Sequence, residues 1–235
     1  MPPRAQRLSV KTPDGETLQG IFIRPEETDA SSTTIVGFGG NAWNAQDVAE
    51  YLHELFPTHA VIAFHYRGYP PSTGTPSGTN IIADAPLVYD SAIKATKPAA
   101  VVVVGFSIGS AVAAQVSAVR KVDGLILVTP FDSLKGVAQA MYPWIPIGPF
   151  FAHEIDAATP LKNSRVPVAL IAAKRDEIVP AERTKALRKI VGNLIYDRTI
   201  ARSGHNDIYA RSDFHEAMRE ALSLILHRPT RAGTR

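Results

Sequence analysis

One serine of this chain lies in a context that predicts a nucleophile. Ser107 is at the centre of Gly105-Phe106-Ser107-Ile108-Gly109, a Gly-x-Ser-x-Gly pattern. Four valines, Val101 to Val104, precede it and indicate a buried strand, and the alanine-rich stretch after it indicates a helix. A serine on a sharp turn between strand and helix exposes its hydroxyl, and the dipole at the helix N-terminus favours negative charge developing there. The pattern therefore predicts a reactive serine.

An aspartate and a histidine follow two later predicted strands. Asp176 comes after the strand Pro167 to Ala172, and His205 comes after the strand Leu194 to Ile200. In open parallel sheets, ligands bind at the carboxyl ends of the strands, so these side chains should meet Ser107 there. His205 would accept the serine proton and return it to the leaving group. Asp176 would hold the imidazole tautomer and stabilise the imidazolium.

Other acids and histidines compete for these two roles. Asp132 follows the strand Gly124 to Thr129 and is the alternative acid, whereas Asp207 is expected to make local hydrogen bonds. His65 also follows a strand, but it precedes the serine and does not fit the order serine, acid, histidine. His153 lies in an insertion from which it could reach the site. The order favours Asp176 and His205.

The glycine-rich run Gly37-Phe38-Gly39-Gly40-Asn41-Ala42 has two interpretations. It could supply a backbone N–H to a developing oxyanion, with Asn41 as the donor and Gly40 as the alternative. The second donor would be the N–H of Ile108, the residue after the serine. The run also fits a dinucleotide-binding pattern, but that motif expects an acid about 20 residues on, where Phe64-His65-Tyr66-Arg67 stands. The oxyanion interpretation is favoured.

The elements that must position these residues alternate strands with helices of ten or more residues. This rhythm predicts a mostly parallel sheet with helices on both faces. Two short strands around Pro13-Asp14-Gly15 predict an antiparallel hairpin at the N-terminal edge of the sheet. Pro86 is expected near the first turn of its helix, where a missing N–H is tolerated. The predicted strands are 8–11, 17–23, 33–38, 60–64, 101–104, 124–129, 167–172 and 194–200, and the predicted helices are 45–56, 81–96, the one after Ser107, 181–191 and 213–227.

The alternation of strands and helices is interrupted at residues 131–166. This interruption predicts a small lid within one domain that spans residues 1–235. The segment is rich in proline and aromatic residues. Its apolar side chains could line an acyl pocket or pack as core over the sheet edge. The candidate substrate contacts are Trp43, Tyr142, Trp144 and Phe150.

Several motifs of this chain resemble those of the α/β-hydrolase superfamily, over nearly the whole chain. The matching segments are Gly39-Gly40-Asn41-Ala42, Tyr66-Arg67-Gly68-Tyr69, Gly105-Phe106-Ser107-Ile108-Gly109, Pro130-Phe131-Asp132-Ser133, Asp176 and Gly204-His205-Asn206-Asp207. They are similar to the compact members that include the depalmitoylating α/β-hydrolase-domain proteins. The resemblance implies the α/β-hydrolase fold and a serine, aspartate and histidine site. Gly39 replaces the usual histidine of the oxyanion loop. We expect no N-terminal membrane or palmitoylation segment like that of the eukaryotic relatives.

The composition narrows the classes of function. The 235 residues include 25 basic and 22 acidic ones, and the net charge of +3 is too small to favour nucleic acid or anionic membranes. Without cysteine the chain has no disulfide, cysteine nucleophile or thiolate metal site. We expect no metal or other cofactor, because no histidine and acid cluster has ligand spacing. We also expect no signal peptide or membrane span, and a cytoplasmic location.

The sequence therefore predicts an enzyme that cleaves carboxylic esters through an acyl-enzyme on Ser107. The expected partner is a small-molecule acyl ester or thioester, and the oligomeric state is left open. The alternatives are an acyl-protein or acyl-CoA thioesterase, then a peptidase, then a non-catalytic binding relative of the same fold. The complete set of Ser107, Asp176 and His205 favours an enzyme.

Overall fold

One mixed sheet organises the part of the chain that the computed structural model describes, residues 4–26, 32–144 and 155–227. The strands are β1 (Ala5–Lys11), β2 (Thr17–Ile23), β3 (Thr33–Phe38), β4 (Ala60–Phe64), β5 (Ala100–Phe106), β6 (Gly124–Val128), β7 (Val168–Ala173) and β8 (Leu194–Ile200). Their order across the sheet is β1-β2-β4-β3-β5-β6-β7-β8. The β1–β2 and β2–β4 pairs are antiparallel and the other pairs are parallel. The mostly parallel sheet with an antiparallel N-terminal edge is confirmed.

Helices cover both faces of this sheet. They are α1 (Ala45–Leu55), α2 (Gly78–Thr96), α3 (Ile108–Val119), α4 (Leu134–Met141), α5 (Ala158–Leu161), α6 (Ala181–Ile190) and α7 (Ser212–Leu226), with a short 3₁₀ helix at Ile208–Ala210. Alternate residues of β5 point to opposite faces, as the period of a strand requires. Val101 and Val103 pack with α2 and α3, whereas Val102 and Val104 pack with α1 and α7. Both predicted faces are therefore covered.

Helix α2 differs from its prediction at the N-terminal end. It begins at Gly78, because the side chain of Ser77 accepts a hydrogen bond from the backbone N–H of Asn80 at 3.1 Å and caps the helix. Pro86 consequently lies in the third turn, and the expectation that it would lie near the first turn was wrong. The helix continues past Pro86 with one backbone hydrogen bond fewer.

Candidate active site

Ser107 lies on the sharp turn between β5 and α3, as the sequence predicted. Its backbone angles, φ of 52° and ψ of −117°, lie in a region that residues other than glycine rarely adopt. The two glycines of the motif allow the backbone segments to approach closely. A Cβ on Gly105 would lie 2.3 Å from the carbonyl oxygen of Gly109, and one on Gly109 would lie 2.2 Å from that of Phe38. The two glycines of the motif are therefore needed for the close packing of β5, α3 and the loop after β3 around the serine.

The side chain of His205 lies within hydrogen-bond distance of both Ser107 and Asp176. His205 Nε2 lies 3.0 Å from Ser107 Oγ, and His205 Nδ1 lies 2.9 Å from both carboxylate oxygens of Asp176. The His205 and Asp176 side chains are only 6% and 8% exposed. Asp176 Oδ1 also accepts the backbone N–H groups of Ile178 and Val179, at 3.0 and 2.7 Å. A proton can therefore pass from Ser107 to His205 while Asp176 orients the ring.

The loops after β7 and β8 are tied together around His205. The carboxylate of Glu177 accepts the backbone N–H of His205 at 2.9 Å, and Asp207 accepts that of Gly204 at 2.7 Å. A Cβ on Gly204 would lie 2.6 Å from Glu177 Oε2, so glycine lets this carboxylate approach. Asp207 thus makes the local bond that was expected of it. The contact of Glu177 was missed, because the two residues are 28 positions apart and no local pattern joins them.

The two predicted oxyanion donors, the backbone N–H groups of Ile108 and Asn41, lie in segments next to Ser107. Ile108 is the first residue of α3, so its N–H has no intrahelical acceptor. Gly40 lies against the serine, since a Cβ on it would be 3.5 Å from Ser107 Cβ, and Asn41 follows in the same loop. Within residues 4–26, 32–144 and 155–227, the N–H groups of Ile108 and Asn41 donate to no protein acceptor. Such donors are available to a ligand oxygen.

The alternative acid and histidine are engaged elsewhere. Asp132 pairs with Arg183 of α6, its carboxylate lying 3.2 Å from Nη1. His65 is 9% exposed, and its Nδ1 lies 3.5 Å from the backbone N–H of Ala45. Burial lowers the pKa of His65, which favours the neutral ring. His153 lies outside the described residues.

Trp43, a predicted substrate contact that directly follows the predicted oxyanion loop at residues 39–42, packs within an aromatic cluster. Its ring centroid lies 5.0 Å from those of Phe106 and Tyr209 and 5.7 Å from that of Tyr51. Phe106 directly precedes the serine, and Tyr209 lies four residues after His205, in the short 3₁₀ helix. The indole thus joins three segments of the site, and contact with substrate stays a prediction.

The other predicted substrate contacts belong to the segment between β6 and β7. Tyr142 and Trp144 follow α4 and are 47% and 76% exposed, with ring centroids 6.3 Å apart. Phe150 lies outside the described residues, as do its neighbours from 145 to 154. The lid and its contacts with substrate stay predictions.

Two further observations concern the described residues as a set. They hold no group of three or more histidine, cysteine, aspartate or glutamate side chains that could bind a metal ion. Across the same ranges, no helix is both long and apolar enough to cross a lipid bilayer.

The sheet and the placement of the site at its carboxyl edge define the class of this chain. The sequence profile of the alpha/beta hydrolase fold matches residues 35–166, more than half of the chain. The chain therefore belongs to the alpha/beta hydrolase family.

Particular relatives agree with this assignment. An uncharacterized protein of Mycobacterium tuberculosis is 30% identical over 210 residues, which cover 87% of this chain and 74% of the relative. Protein bem46 of Schizosaccharomyces pombe is 29% identical over 198 residues, covering 80% of this chain and 66% of bem46. The likeness to bem46 fits the compact hydrolase group that the sequence motifs resemble.

Solved structures share the fold at low sequence identity. The Pyrococcus furiosus esterase Pf2001 superposes with a TM-score of 0.74 at 19% identity, covering 94% of this chain and 91% of the esterase. Acetyl xylan esterase 1 from Thermoanaerobacterium superposes with a TM-score of 0.76 at 18% identity, covering 95% and 85%. At this identity the likeness concerns the fold.

Proposed function

We propose that this protein is a serine hydrolase that cleaves carboxylic esters through an acyl-enzyme on Ser107. The observation that carries the proposal is the hydrogen-bonded series from Ser107 Oγ to His205 Nε2, at 3.0 Å, and from His205 Nδ1 to Asp176, at 2.9 Å. A serine hydroxyl becomes an effective nucleophile when an adjacent base takes its proton. The names of the similar structures, which include esterases, support an ester as the substrate class.

The acylation step uses each of these groups. Ser107 Oγ attacks the carbonyl carbon of the ester while its proton moves to His205 Nε2. Asp176 stabilises the imidazolium through Nδ1–H, and the N–H groups of Asn41 and Ile108 bind the oxyanion. The tetrahedral intermediate then collapses, the carbon–oxygen bond to the alcohol breaks, and the leaving oxygen takes the proton from His205 Nε2. The acyl group remains on Ser107.

Deacylation repeats the sequence with water as the nucleophile. His205 Nε2 accepts a proton from water as the water oxygen attacks the acyl carbon. The bond between this carbon and Ser107 Oγ breaks, and the proton returns to the serine from His205. The carboxylic acid is released and the site regains its starting state, so one water is consumed for each ester cleaved.

The proposal is tested by hydrolysis of p-nitrophenyl esters from acetyl to palmitoyl. We expect wild-type activity, and a fall in kcat of about 10⁴-fold or more in Ser107→Ala. Ser117→Ala is the matched control, because this serine lies on α3 and its hydroxyl donates to the backbone carbonyl of Ala114 in the same helix. Its activity should equal that of wild type.

The substrate class is tested in the same assay with acyl thioesters of equal chain length. A higher kcat/KM on esters supports the proposal. A higher kcat/KM on thioesters would replace the ester in the proposal by a thioester. Wild-type protein without activity on either class, or full activity in Ser107→Ala, would contradict the proposed function.

A further inference from the structure

Two tyrosines of the loop that follows β4 donate hydrogen bonds to the oxyanion loop, residues 39–42. The hydroxyl of Tyr66 donates a 2.8 Å hydrogen bond to the carbonyl oxygen of Gly39. Tyr66 is 8% exposed, so this bond is shielded from water. The hydroxyl of Tyr69 donates a second 2.8 Å bond, to the side-chain oxygen of Asn41. Both bonds therefore end on the segment that contains Gly40, which lies against Ser107.

The bond to Gly39 fixes a peptide plane beside the serine. In a trans peptide the C=O and the following N–H point in opposite directions, so holding the Gly39 carbonyl sets the direction of the Gly40 N–H. The same carbonyl oxygen lies 2.6 Å from where a Cβ of Gly109 would be, which places it over the first turn of α3. Gly40 in turn lies against Ser107. The Asn41 N–H belongs to the next peptide, whose carbonyl, that of Gly40, accepts the backbone N–H of Trp43 at 3.3 Å. Both successive peptides of the loop are therefore held by hydrogen bonds.

The Tyr66 hydroxyl is a permanent donor. Burial raises its pKa above the ordinary value, and the nearby Tyr69 hydroxyl raises it further. The ring therefore stays neutral at every pH at which the enzyme can be assayed. Its ring also contacts that of Tyr69 edge-on, with centroids 5.7 Å apart.

The loop that carries both tyrosines is itself fixed. Arg67, the next residue, makes a bidentate ion pair with Asp84 of α2 at 2.9 and 2.7 Å, and both side chains are at most 7% exposed. Arg67 also bonds Asp14 in the β1–β2 turn. The hydroxyl of Ser72 closes the loop on the carbonyl of His65 at 2.9 Å. The loop is therefore a rigid support, which is what preorganised electrostatic stabilisation requires.

We propose that Tyr66, assisted by Tyr69, is a positioning residue that holds the oxyanion loop in the orientation needed to bind the developing oxyanion. The proposal rests on the proposed function, because it assigns these residues to the same site. Neither tyrosine contacts the reacting atoms in this account. Each acts through the backbone of the loop.

The test compares Tyr66→Phe with Tyr89→Phe. Tyr89 of α2 is a matched control. It is 6% exposed, and its hydroxyl donates to the backbone carbonyl of Lys121, which lies between α3 and β6. Each variant loses one hydroxyl and keeps its ring, so thermal unfolding should report similar stability. Loss of an oxyanion donor lowers kcat by about 10² to 10³-fold. Tyr66→Phe would leave the donor present but misplaced, so its kcat should fall by about 10 to 100-fold. KM should stay within about 3-fold, since the ground state gains little from this donor.

A second readout separates positioning from stability. An alkyl boronic acid forms a tetrahedral adduct with the serine and mimics the oxyanion, so its inhibition constant should rise in Tyr66→Phe by the same factor as kcat/KM falls. Tyr89→Phe should change kcat and the inhibition constant by less than about 3-fold. Equal kinetics in Tyr66→Phe and Tyr89→Phe, with wild type active, would overturn the inference and leave the proposed function intact. Inactive wild type would overturn both.

Tyr69→Phe keeps the inference falsifiable if Tyr66→Phe does not fold. Tyr69 lies at the surface end of the loop, so its hydroxyl can be removed with little effect on folding. We expect a fall in kcat of about 3 to 10-fold and a matching loss of boronic acid affinity. A kcat within about 2-fold of wild type in Tyr69→Phe would then overturn the inference.

Discussion

Replacing a carboxylate by an amide tests whether Asp176, after β7, or Asp132, after β6, is the acid that orients His205. In Asp176→Asn the side-chain carbonyl can still accept the N–H groups of Ile178 and Val179, which Asp176 Oδ1 now accepts. The amide NH₂ then faces His205 Nδ1 and favours the tautomer with the proton on Nε2. That nitrogen can no longer accept the Ser107 proton. A wrong tautomer costs about 10⁴ in kcat, roughly 5 kcal/mol of transition-state stabilisation.

Asp132→Asn is the matched control for this substitution. Asp132 pairs with Arg183 at 3.2 Å, and the two side chains are 16% and 29% exposed. Losing this partly exposed pair should cost about 1 kcal/mol or less of stability and change kcat by less than about 3-fold. Hydrolysis of a p-nitrophenyl ester is measured for both variants, with thermal unfolding as the check on folding. Full activity in Asp176→Asn together with an inactive, folded Asp132→Asn would refute the assignment of the acid.

Three further substitutions test the site and its support. Ser107→Gly should be more stable to urea than Ser107→Ala by about 1 kcal/mol, because glycine adopts a φ of 52° at little cost; equal stabilities would mean that the turn is unstrained. Asp84→Asn should lower the free energy of unfolding by about 1 to 3 kcal/mol, because the buried Arg67 guanidinium then keeps the more exposed Asp14 carboxylate as its remaining ionic partner; an unchanged urea midpoint would contradict this. Burial lowers the pKa of His65 below 6.5, so its contribution to stability is present above that pH and is lost as the pH falls. Between about pH 7.5 and 5, wild type should therefore lose more free energy of unfolding than His65→Gln, and parallel losses would contradict the direction of the shift.

The sheet could be predicted closely because its strands are buried. Thr33–Phe38 and Ala60–Phe64 are buried along their whole length and have the bounds that the sequence indicated. Leu194–Ile200, at the more exposed edge of the sheet, also has its predicted bounds. Buried parallel strands appear as short apolar runs between turn residues, and this signal is local. The meeting of the serine, the acid and the histidine also follows from local information, since each residue comes directly after a strand of that sheet.

The supports of the site could not be predicted in the same way. The Tyr66 hydroxyl bonds a carbonyl 27 residues away, and the Glu177 carboxylate bonds an N–H 28 residues away. Such contacts arise when the fold brings loops from different strands together. Hydrophobic periodicity reports local secondary structure, so it cannot predict them. Trp43 makes a further contact of this kind, because its ring packs against Phe106 and Tyr209 from distant parts of the chain. Its contact with substrate stays a prediction.

The most direct test of the central claim is covalent labelling of the serine. A fluorophosphonate reacts with an activated serine by forming a bond from the serine oxygen to phosphorus and releasing fluoride, and its adduct is stable enough for peptide mapping by mass spectrometry. We predict one adduct, on Ser107, which forms at least about 100-fold more slowly in His205→Ala. Ester hydrolysis by a protein that forms no adduct, or that forms its adduct on another residue, would contradict the account.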